Sequence, residues 1–407
     1  MTYVVYLLDT RSDGAMDLAD IQHMPLARVN FSHNHTGLPL RKSPQAGALA
    51  AINYKGMTKM NDNRKKLFDK MGEHGIDAML ITDMTNVRYF SGFTGSDGYA
   101  LISEKASFVI TDSRYTEQAE IQTDGFYVKN ITDFDIKSVL DPCAKVGFEN
   151  LTISYADYLR FAEKIDSLVP TDMMLTDIRS VKDDAEIECI AKAAQIADAA
   201  FDHIVGYMRP GMTEREVAFE LEMFMRTNGA EKLSFDTIVA AGEHGSMPHA
   251  EPDDRVIAEG DLVVLDYGCT YHGYCSDMTR TVAMGDVPED SLAVYNLVRH
   301  VQSDCLAMIK PGAVCSDIHK YSWDTLNGSY PGCYGHGLGH GVGLEIHERP
   351  TLSTRCDVRL EPGHIVTVEP GLYIPGKCGV RIEDLVLVTK EGYRILSKST
   401  KELVKIH

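Results

Sequence analysis

Three histidines lie within one glycine-rich stretch near the C-terminal end, residues 335–350, whose sequence is GHGLGHGVGLEIHERP. His336, His340 and His347 have side chains that can bind a metal ion or move a proton near neutral pH. Glycine costs about 0.5–1 kcal/mol in a regular helix or strand, so glycines at every second position indicate unusual dihedrals or close backbone approach. The stretch therefore predicts an irregular segment that brings histidines together, although a flexible polar surface loop has the same composition.

Two acidic residues interrupt an apolar region upstream, in the sequence LVVLDYGCTYHGYCSDMTRT of residues 262–281. Residues 263–265 predict a buried strand, residues 268–273 a connection, and the residues from 274 onward a returning strand. If this hairpin is symmetric about Tyr271 and His272, Asp266 lies directly opposite Asp277. Cross-strand partners have Cβ atoms about 4.5–5.5 Å apart, which lets two carboxylates hold one metal ion. The register is an assumption, because a shifted turn changes which residues face each other.

A second hairpin with the same character is predicted in residues 363–388, GHIVTVEPGLYIPGKCGVRIEDLVLV. Residues 365–368 form one apolar run, Pro375 and Gly376 form the turn, and residues 380–388 form the other run. Reflection about Gly376 places Glu369 opposite Glu383. Carboxylates are almost never buried unless they are paired or bind a metal, so acids within such apolar strands require an explanation.

Four carboxylates that share one buried site repel each other, and two divalent cations supply the charge of +4 that cancels them. One imidazole, for which His340 is the natural donor, completes a set of hard oxygens and a single nitrogen. That set suits manganese, iron, cobalt or zinc. Two such ions about 3.5–4 Å apart can deprotonate a water and polarise a carbonyl, which favours hydrolysis. Any one of these acids alone is more typical of a helix N-cap or a surface ion pair.

Residues 235–384 resemble the catalytic domain of the proline-specific metallopeptidases, the aminopeptidase P and prolidase group, whose fold is called pita-bread. The resemblance extends over nearly all of residues 183–407. It implies that one metal is held by Asp266 and the other by His340 and Glu369, while Asp277 and Glu383 bridge the two. The five matched ligand positions are therefore Asp266, Asp277, His340, Glu369 and Glu383.

Three histidines outside the ligand set also match active-site positions of the family. The resemblance implies that His249, His336 and His347 bind the substrate and stabilise charge on the attacked carbonyl. Arg381, two residues before Glu383, is placed to orient a ligand carboxylate. The implied reaction is attack by the activated water on a peptide bond whose nitrogen belongs to proline, with Glu369 as proton shuttle to that nitrogen.

The remaining chain predicts an α+β protein with two domains, as expected for 407 residues. Residues 1–56 are rich in turn-forming residues and predict a disordered extension. Residues 57–180 predict a smaller α/β domain, in which the segment YFSGFTGSD of residues 89–97 resembles the family's N-terminal domain. Residues 183–407 form the predicted catalytic domain, which begins with a long amphipathic helix and a second helix opened by a capping box at Thr213 and Glu216.

The formal net charge of −19 opposes nucleic acid as a partner, because binding phosphates requires a basic face. The N-terminus lacks the pattern of a secretory signal, and no apolar run approaches the ~18 residues of a membrane helix. The nine cysteines include no Cys-x-x-Cys pair and indicate buried free thiols in a reducing cytoplasm. The family resemblance implies a homodimer.

Three functions remain open. The preferred prediction is an Xaa-Pro aminopeptidase that carries two divalent ions, manganese before cobalt, zinc or iron, and releases the first residue of peptides with proline in second position. The alternative within the family is an Xaa-Pro dipeptidase, or prolidase, restricted to dipeptides. The alternative from another class is a catalytically inert pita-bread module that only binds partners. Such a module is expected to have lost ligands, and all five ligand positions are present.

Overall fold

The computed structural model describes residues 60–407, and their side chains from residue 63 onward. The extension predicted for residues 1–56 lies outside the described residues, as does the start of the predicted first domain at residues 57–59. The described residues fall within one compact unit.

A six-stranded mixed sheet organises the N-terminal part of the structure, with the strand order β4-β3-β2-β1-β5-β6. The central strand β1 pairs antiparallel with β2 and parallel with β5. Strands β2 and β3 form an antiparallel pair at one side of β1. The six strands are β1 (Ala78–Ile81), β2 (Tyr99–Ser103), β3 (Ser107–Thr111), β4 (Tyr127–Asn130), β5 (Val146–Phe148) and β6 (Leu168–Pro170).

Helices cover this sheet on both faces because successive side chains of a strand point to opposite sides. Met79 and Ile81 of β1 belong to one core cluster, and Ala78 and Leu80 belong to another. The helices are α1 (Met60–His74), α2 (Met84–Ser91), α3 (Thr116–Gln122), α4 (Tyr155–Ala162) and α5 (Met174–Ser180), with a 3₁₀ turn at Ile136–Ser138.

Two larger sheets and two short ribbons organise the C-terminal part. One sheet has the order β19-β11-β8-β7, the other has the order β13-β12-β14-β17-β18, and the ribbons are β9 with β10 and β15 with β16. Their strands are β7 (Ile238–Ala241), β8 (Leu262–Tyr267), β9 (Thr270–Tyr271), β10 (Tyr274–Cys275), β11 (Met278–Met284), β12 (Gly339–Gly341), β13 (Glu348–Leu352), β14 (Ile365–Val368), β15 (Gly371–Ile374), β16 (Cys378–Arg381), β17 (Asp384–Val388), β18 (Tyr393–Ile395) and β19 (Lys405–Ile406).

Two pairs of helices bury these sheets, one pair against each. Helices α6 (Asp184–Tyr207) and α7 (Glu214–Thr227) share a core with β7, β8 and β11, and α8 (Glu289–Met308) and α9 (Cys315–Ser329) share one with the five-stranded sheet. The predicted capping box at Thr213 is confirmed, and Asp183 with Glu186 forms another at the start of α6. Sequence analysis did not foresee α9. Within residues 60–407, no helix combines the length and the apolar character needed to cross a membrane.

The register predicted for the first hairpin is wrong, whereas that of the second is confirmed. Asp266 pairs with Thr279 rather than Asp277, because the turn is centred on His272 and Gly273, whose φ angles are 48° and 81°. Because the turn centre moves by one residue, the partner of Asp266 moves by two residues, from Asp277 to Thr279. Side chains two residues apart on a strand share a face, so Asp266 and Asp277 still point to the same face. In the second hairpin, the pairs on either side of Glu369 follow reflection about Gly376, which puts Glu369 opposite Glu383.

The glycine-rich stretch is more regular than expected, because its middle forms the strand β12 between β13 and β14. A Cβ atom on Gly339 would lie 2.0 Å from the carbonyl oxygen of Thr367, and one on Gly341 would lie 2.2 Å from that of Arg349. Neither glycine has a left-handed φ. Close approach of neighbouring strands is therefore what requires glycine on both sides of His340.

Candidate metal centre

A cavity of about 550 Å³ in the C-terminal part brings every predicted site residue together. The strands that carry the acids converge there: Asp266 lies near the end of β8, and Asp277 immediately precedes β11. His340 is the central residue of β12. The predicted residues that line the cavity are Asp266, Asp277, Glu369, Glu383, His249, His336, His340, His347 and Arg381.

The five predicted metal ligands form one cluster inside the cavity. One oxygen each from Asp266, Asp277 and Glu383 lie within 4.8 Å of one another. His340 extends the cluster, because its Nε2 atom is 3.5 Å from Asp277 Oδ2 and 3.4 Å from Glu369 Oε1. The arrangement therefore offers oxygen atoms and one nitrogen to a common volume, as a cation site requires.

Two of these carboxylates each keep one buried oxygen without a hydrogen-bond partner among the described residues, Asp266 Oδ1 and Glu383 Oε1. Their other oxygens are bonded: Arg381 donates to Asp266 Oδ2, and Thr279 Oγ1 donates to Glu383 Oε2 at 2.8 Å. A buried anionic oxygen without a partner carries a large desolvation penalty, and buried carboxylates are normally paired or bound to metal. These two free oxygens fit cation ligands.

Hydrogen bonds to the backbone fix the tautomer of His340. Its Nδ1 atom is 3.0 Å from the carbonyl oxygen of Gly341, which can only accept, so Nδ1 carries the proton and the Nε2 lone pair faces the acids. Thr367 Oγ1 accepts a hydrogen bond from the His340 amide and donates one to Glu369 Oε1 at 3.2 Å. Such contacts orient the ligands of a metal before it binds.

Burial and mutual repulsion shift the pKa values of the cluster. Burial raises the pKa of Asp277 and Glu383, and the neighbouring carboxylates raise it further. Burial raises the pKa of Glu369 to about 8, and the charge of Asp266 adds to that rise. Burial lowers the pKa of His340 to about 4, which keeps its imidazole neutral as metal ligation requires. Two divalent cations would offset the charge of the four acids.

Tyr373 belongs to the site, although sequence analysis did not single it out. Its hydroxyl accepts a hydrogen bond from Arg381 Nη1 at 2.8 Å and lies 2.9 Å from His336 Nε2. Arg381 in turn donates to Asp266, as expected, and to the carbonyl oxygen of Pro248 at 3.2 Å. The hairpin register contained the signal: Arg381 pairs with Gly371, and Tyr373 lies two residues further along the same face.

The three additional histidines differ in their hydrogen bonding. His336 Nδ1 donates to the carbonyl oxygen of Gly337 at 2.7 Å and Nε2 accepts from Tyr373, so both ring nitrogens are engaged within the protein. Burial lowers the pKa of His336 to about 4. His249 and His347 are exposed in the cavity and have no hydrogen-bond partner within residues 60–407. The ring of His347 stands edge to face against that of His340, with centroids 4.4 Å apart.

Buried acids with oxygens that no described residue bonds, a neutral imidazole beside them, and nearby histidines without a hydrogen-bond partner in residues 60–407 fit the site of a metal-dependent hydrolase. The chain belongs to metallopeptidase family M24: the model of that family matches residues 188–390, and the Creatinase/Prolidase N-terminal domain matches residues 63–181. The predicted family, the α+β pita-bread fold with its smaller N-terminal domain, and the assignment as a metallopeptidase are confirmed.

Similar proteins extend over almost the same region. The peptidase YqhT of Bacillus subtilis is 45% identical over 349 residues, which are 84% of this chain and 99% of that protein. The structure of an Xaa-Pro dipeptidase from Bacillus anthracis matches with a TM-score of 0.81 and 43% identity, covering 85% of this chain and 99% of that one. The structure of an X-Pro aminopeptidase from Thermotoga maritima matches with a TM-score of 0.75 and 38% identity, covering 82% and 98%.

Proposed function

We propose that this metallopeptidase hydrolyses the peptide bond before proline and releases the first residue of peptides with proline in second position. The observation that carries the proposal is the pair of free, buried carboxylate oxygens on Asp266 and Glu383, which lie in a cavity with an apolar wall. Relatives of both kinds, an Xaa-Pro dipeptidase and an X-Pro aminopeptidase, support the proline-directed part of the proposal.

Two divalent cations would be held by the five ligand residues, manganese being the preferred ion and cobalt, zinc and iron the alternatives. When bound, such ions supply an activated water and polarise the carbonyl that it attacks. Arg381 holds Asp266 in the orientation in which its free oxygen faces the cavity. The ligand residues are Asp266, Asp277, His340, Glu369 and Glu383.

The wall beside the ligands offers a slot for the proline ring. Proline has no N–H and a fixed φ angle, so a dedicated site recognises its ring by apolar contact. Phe235, Ile238 and Tyr373 line the cavity together with His336, whose two ring nitrogens are already engaged within the protein. Recognition by this wall explains how a metal hydrolase centre becomes selective for proline.

Three other residues act on the scissile bond itself. His249 and His347 are exposed to the cavity, and no other residue of the described range 60–407 bonds to their ring nitrogens. These nitrogens can donate hydrogen bonds to the substrate carbonyl as charge develops on its oxygen. Glu369 lines the cavity beside His340 and carries the proton from the activated water to the leaving proline nitrogen.

The charges around the cavity favour longer peptides over dipeptides. A dipeptide places its own C-terminal carboxylate beside the proline slot, where a cation would be expected to bind it. Arg381 is the only lysine or arginine that lines this cavity in residues 60–407. It already donates hydrogen bonds to Asp266, Thr279, Pro248 and Tyr373 and is therefore not available to a substrate carboxylate. The dipeptidase remains the second candidate, supported by the Bacillus anthracis relative.

One assay separates the candidates: manganese-loaded protein is offered Ala-Pro, Ala-Pro-Ala and Ala-Ala side by side. We expect cleavage of Ala-Pro-Ala and little cleavage of Ala-Ala, because only proline fills the slot. Cleavage of Ala-Pro alone would establish the dipeptidase instead. Equal cleavage of Ala-Ala would contradict the proline slot, and an inert protein that binds no manganese would identify a binding module.

Three further expectations belong to this proposal. The domain limits of residues 57–180 and 183–407 remain predictions. A homodimer is what the family resemblance implies. Location in the cytoplasm is supported by the cysteines, since all nine are free thiols and six of them are buried.

A further inference from the structure

A buried acid next to His347 is clamped by two buried cations. Glu348 Oε2 is 2.9 Å from Lys182 Nζ, and Glu348 Oε1 is 3.2 Å from Arg179 Nη2. The side chains of all three residues are at most 2% exposed. Arg179 also forms an ion pair with Glu345, so two acids and two bases neutralise one another at this position. None of these four residues lines the metal cavity.

The carboxylate of Glu348 holds together the turn that carries His347. Its Oε1 atom accepts a hydrogen bond from the Glu345 amide at 3.2 Å. At the other side of the turn, a Cβ atom on Gly343 would lie 2.4 Å from Glu348 Oε2, so the carboxylate packs directly on the backbone there. The turn from residue 343 to residue 348 is therefore wrapped around this one side chain.

The clamp continues into the N-terminal part of the protein. Arg179 Nη1 donates to Asn86 Oδ1 at 2.7 Å, and Asn86 Nδ2 donates to Glu149 Oε1 at 2.6 Å. Glu149 Oε2 accepts from the amides of Thr82 at 2.6 Å and Asp83 at 2.9 Å, at the start of α2. An unbroken chain of buried polar contacts thus links the six-stranded sheet to the turn beside the metal centre.

His347 depends on this turn for its position. Its ring is exposed and has no hydrogen-bond partner within residues 60–407, so only the backbone that carries it and the contact with the His340 ring place it. A buried ion pair contributes little to stability compared with apolar residues of the same shape, but in some proteins such a pair specifies one arrangement of the groups around it. A hydrogen-bond donor to a substrate must be held within a fraction of an ångström to be effective.

We propose that Glu348, held by Arg179 and Lys182, is a positioning residue for His347, and that the N-terminal domain anchors this clamp through Asn86. The inference rests on the proposed function insofar as His347 is assigned to the substrate carbonyl. The clamp acts on the geometry of the turn, so it has a signature that does not require any substrate.

The kinetic test compares Glu348→Gln with His347→Ala and with the double variant, using the Xaa-Pro substrate that the wild-type protein cleaves best. Glu348→Gln keeps the shape of the side chain and removes its charge. We expect a fall in kcat of about ten- to hundred-fold with a small change in KM and with unchanged metal content. In the His347→Ala background, the same change is expected to have almost no further effect on kcat.

The matched control is Glu186→Gln. Glu186 is also buried and bonds to the Tyr274 hydroxyl at 3.0 Å and the Asp183 amide at 2.8 Å, but it does not contact the turn. This variant is expected to keep kcat within about two-fold, because Glu186 makes no hydrogen bond to the turn and Lys182, whose charge it senses, stays paired with Glu348. If Glu348→Gln does not fold, the charge-balanced pair Glu348→Gln with Lys182→Met replaces it.

A readout without substrate separates failure of this inference from failure of the proposed function. In metal-free protein, the imidazole signals of His347 are assigned from their absence in His347→Ala. Glu348→Gln is expected to shift or broaden them, and Glu186→Gln is not. An unmoved His347 signal, a kcat within two-fold of the wild type, or an equal loss in the His347→Ala background would each overturn the positioning role. A wild-type protein that cleaves no Xaa-Pro peptide contradicts the proposed function, whatever the signals show.

Discussion

Two adjacent acids on the second hairpin, Glu383 and Asp384, are equally buried and yet have opposite surroundings. Each is about 1% exposed, and they point to opposite sides of the chain as neighbouring strand residues do. Glu383 faces the cavity, where it meets other acids and keeps one oxygen without a hydrogen-bond partner among the described residues. Asp384 faces away from the cavity and into the protein.

The carboxylate of Asp384 is fully satisfied. Arg280 Nη2 donates to its Oδ1 atom at 2.8 Å, while Gln302 Nε2 at 2.9 Å and Lys401 Nζ at 2.5 Å donate to Oδ2. The protein itself therefore provides the positive charge on this side. On the cavity side, Arg381 is the only lysine or arginine of residues 60–407 that lines the cavity with the four acids of the cluster.

The comparison shows how a metal site differs from a structural ion pair when both consist of buried acids. Burial alone does not distinguish Glu383 from Asp384. What distinguishes them is that the cavity acids have oxygens without a hydrogen-bond partner among residues 60–407 and an excess of negative charge. Both raise the free energy of the folded protein, and a ligand from outside the protein can lower it again. Substitution of either acid tests this difference.

The largest effect is expected from Glu383→Ala. The change removes a ligand assigned to both cations, so activity on Xaa-Pro peptides should fall below detection and the bound manganese should fall below two ions per chain. The fold should persist, because the change also removes one of the mutually repelling acids. Turnover and metal content, measured on the same preparation together with circular dichroism, check this prediction.

Asp286→Ala serves as the control for that experiment, since Asp286 is an exposed acid that follows β11 and pairs with Lys405. It should retain both metals and normal activity. Near-normal turnover in Glu383→Ala would contradict the assignment of Glu383 as a bridging ligand.

Asp384→Ala should affect stability instead. The change leaves the buried Arg280 guanidinium and the Lys401 ammonium without their carboxylate, and breaking a buried pair by removing one partner costs about 3–5 kcal/mol. Denaturant unfolding of the metal-free protein, compared with Glu383→Ala, measures the difference. A smaller loss in the free energy of unfolding for Asp384→Ala than for Glu383→Ala would contradict the difference between the two acids.

The parts of the site that sequence could predict are those fixed by local patterning. The second hairpin was predicted correctly because Pro375 and Gly376 mark its turn unambiguously and apolar runs flank it on both sides. The first hairpin was misplaced by one residue at its centre. His272 with Gly273 is a pair that suits a two-residue turn with positive φ at both positions, a signal that could have corrected the register.

The remaining features depend on contacts between distant segments, which periodicity does not encode. Glu348 follows His347 directly, but its partners Lys182 and Arg179 lie 166 and 169 positions earlier in the chain. The contrast between Glu383 and Asp384 is equally invisible in sequence, because it depends on Arg280 from another strand. Local signals therefore predict which acids are buried, and only the assembled fold shows which of them are already neutralised.

The smallest expected effect is on the pH dependence of stability. It distinguishes the cavity acids from the neutralised Asp384 without truncating a side chain. The folded metal-free protein raises the pKa of Glu369 from an ordinary 4.5 to about 8, and it raises those of Asp277 and Glu383 as well. The folded state then binds more protons than the unfolded state above pH 4.5, so stability falls as pH rises through about 8. Buried histidines have the opposite effect and make stability rise with pH below their ordinary pKa of 6.5. The reason is that burial lowers the pKa of His336 and His340 to about 4, so the unfolded state binds more protons there.

The clean interval for this measurement is therefore about pH 7.5 to 8, one unit or more above the ordinary histidine pKa, where those histidines are largely neutral in both states. The free energy of unfolding of chelator-treated protein should decline there, and manganese at pH 8 should restore it by binding only the folded state. Glu369→Gln should flatten the decline, because it removes one of the titrating carboxyls. A metal-free protein whose stability rises across this interval, or a decline that Glu369→Gln leaves unchanged, would show that the cavity acids are neutralised by contacts within the protein, as Asp384 is.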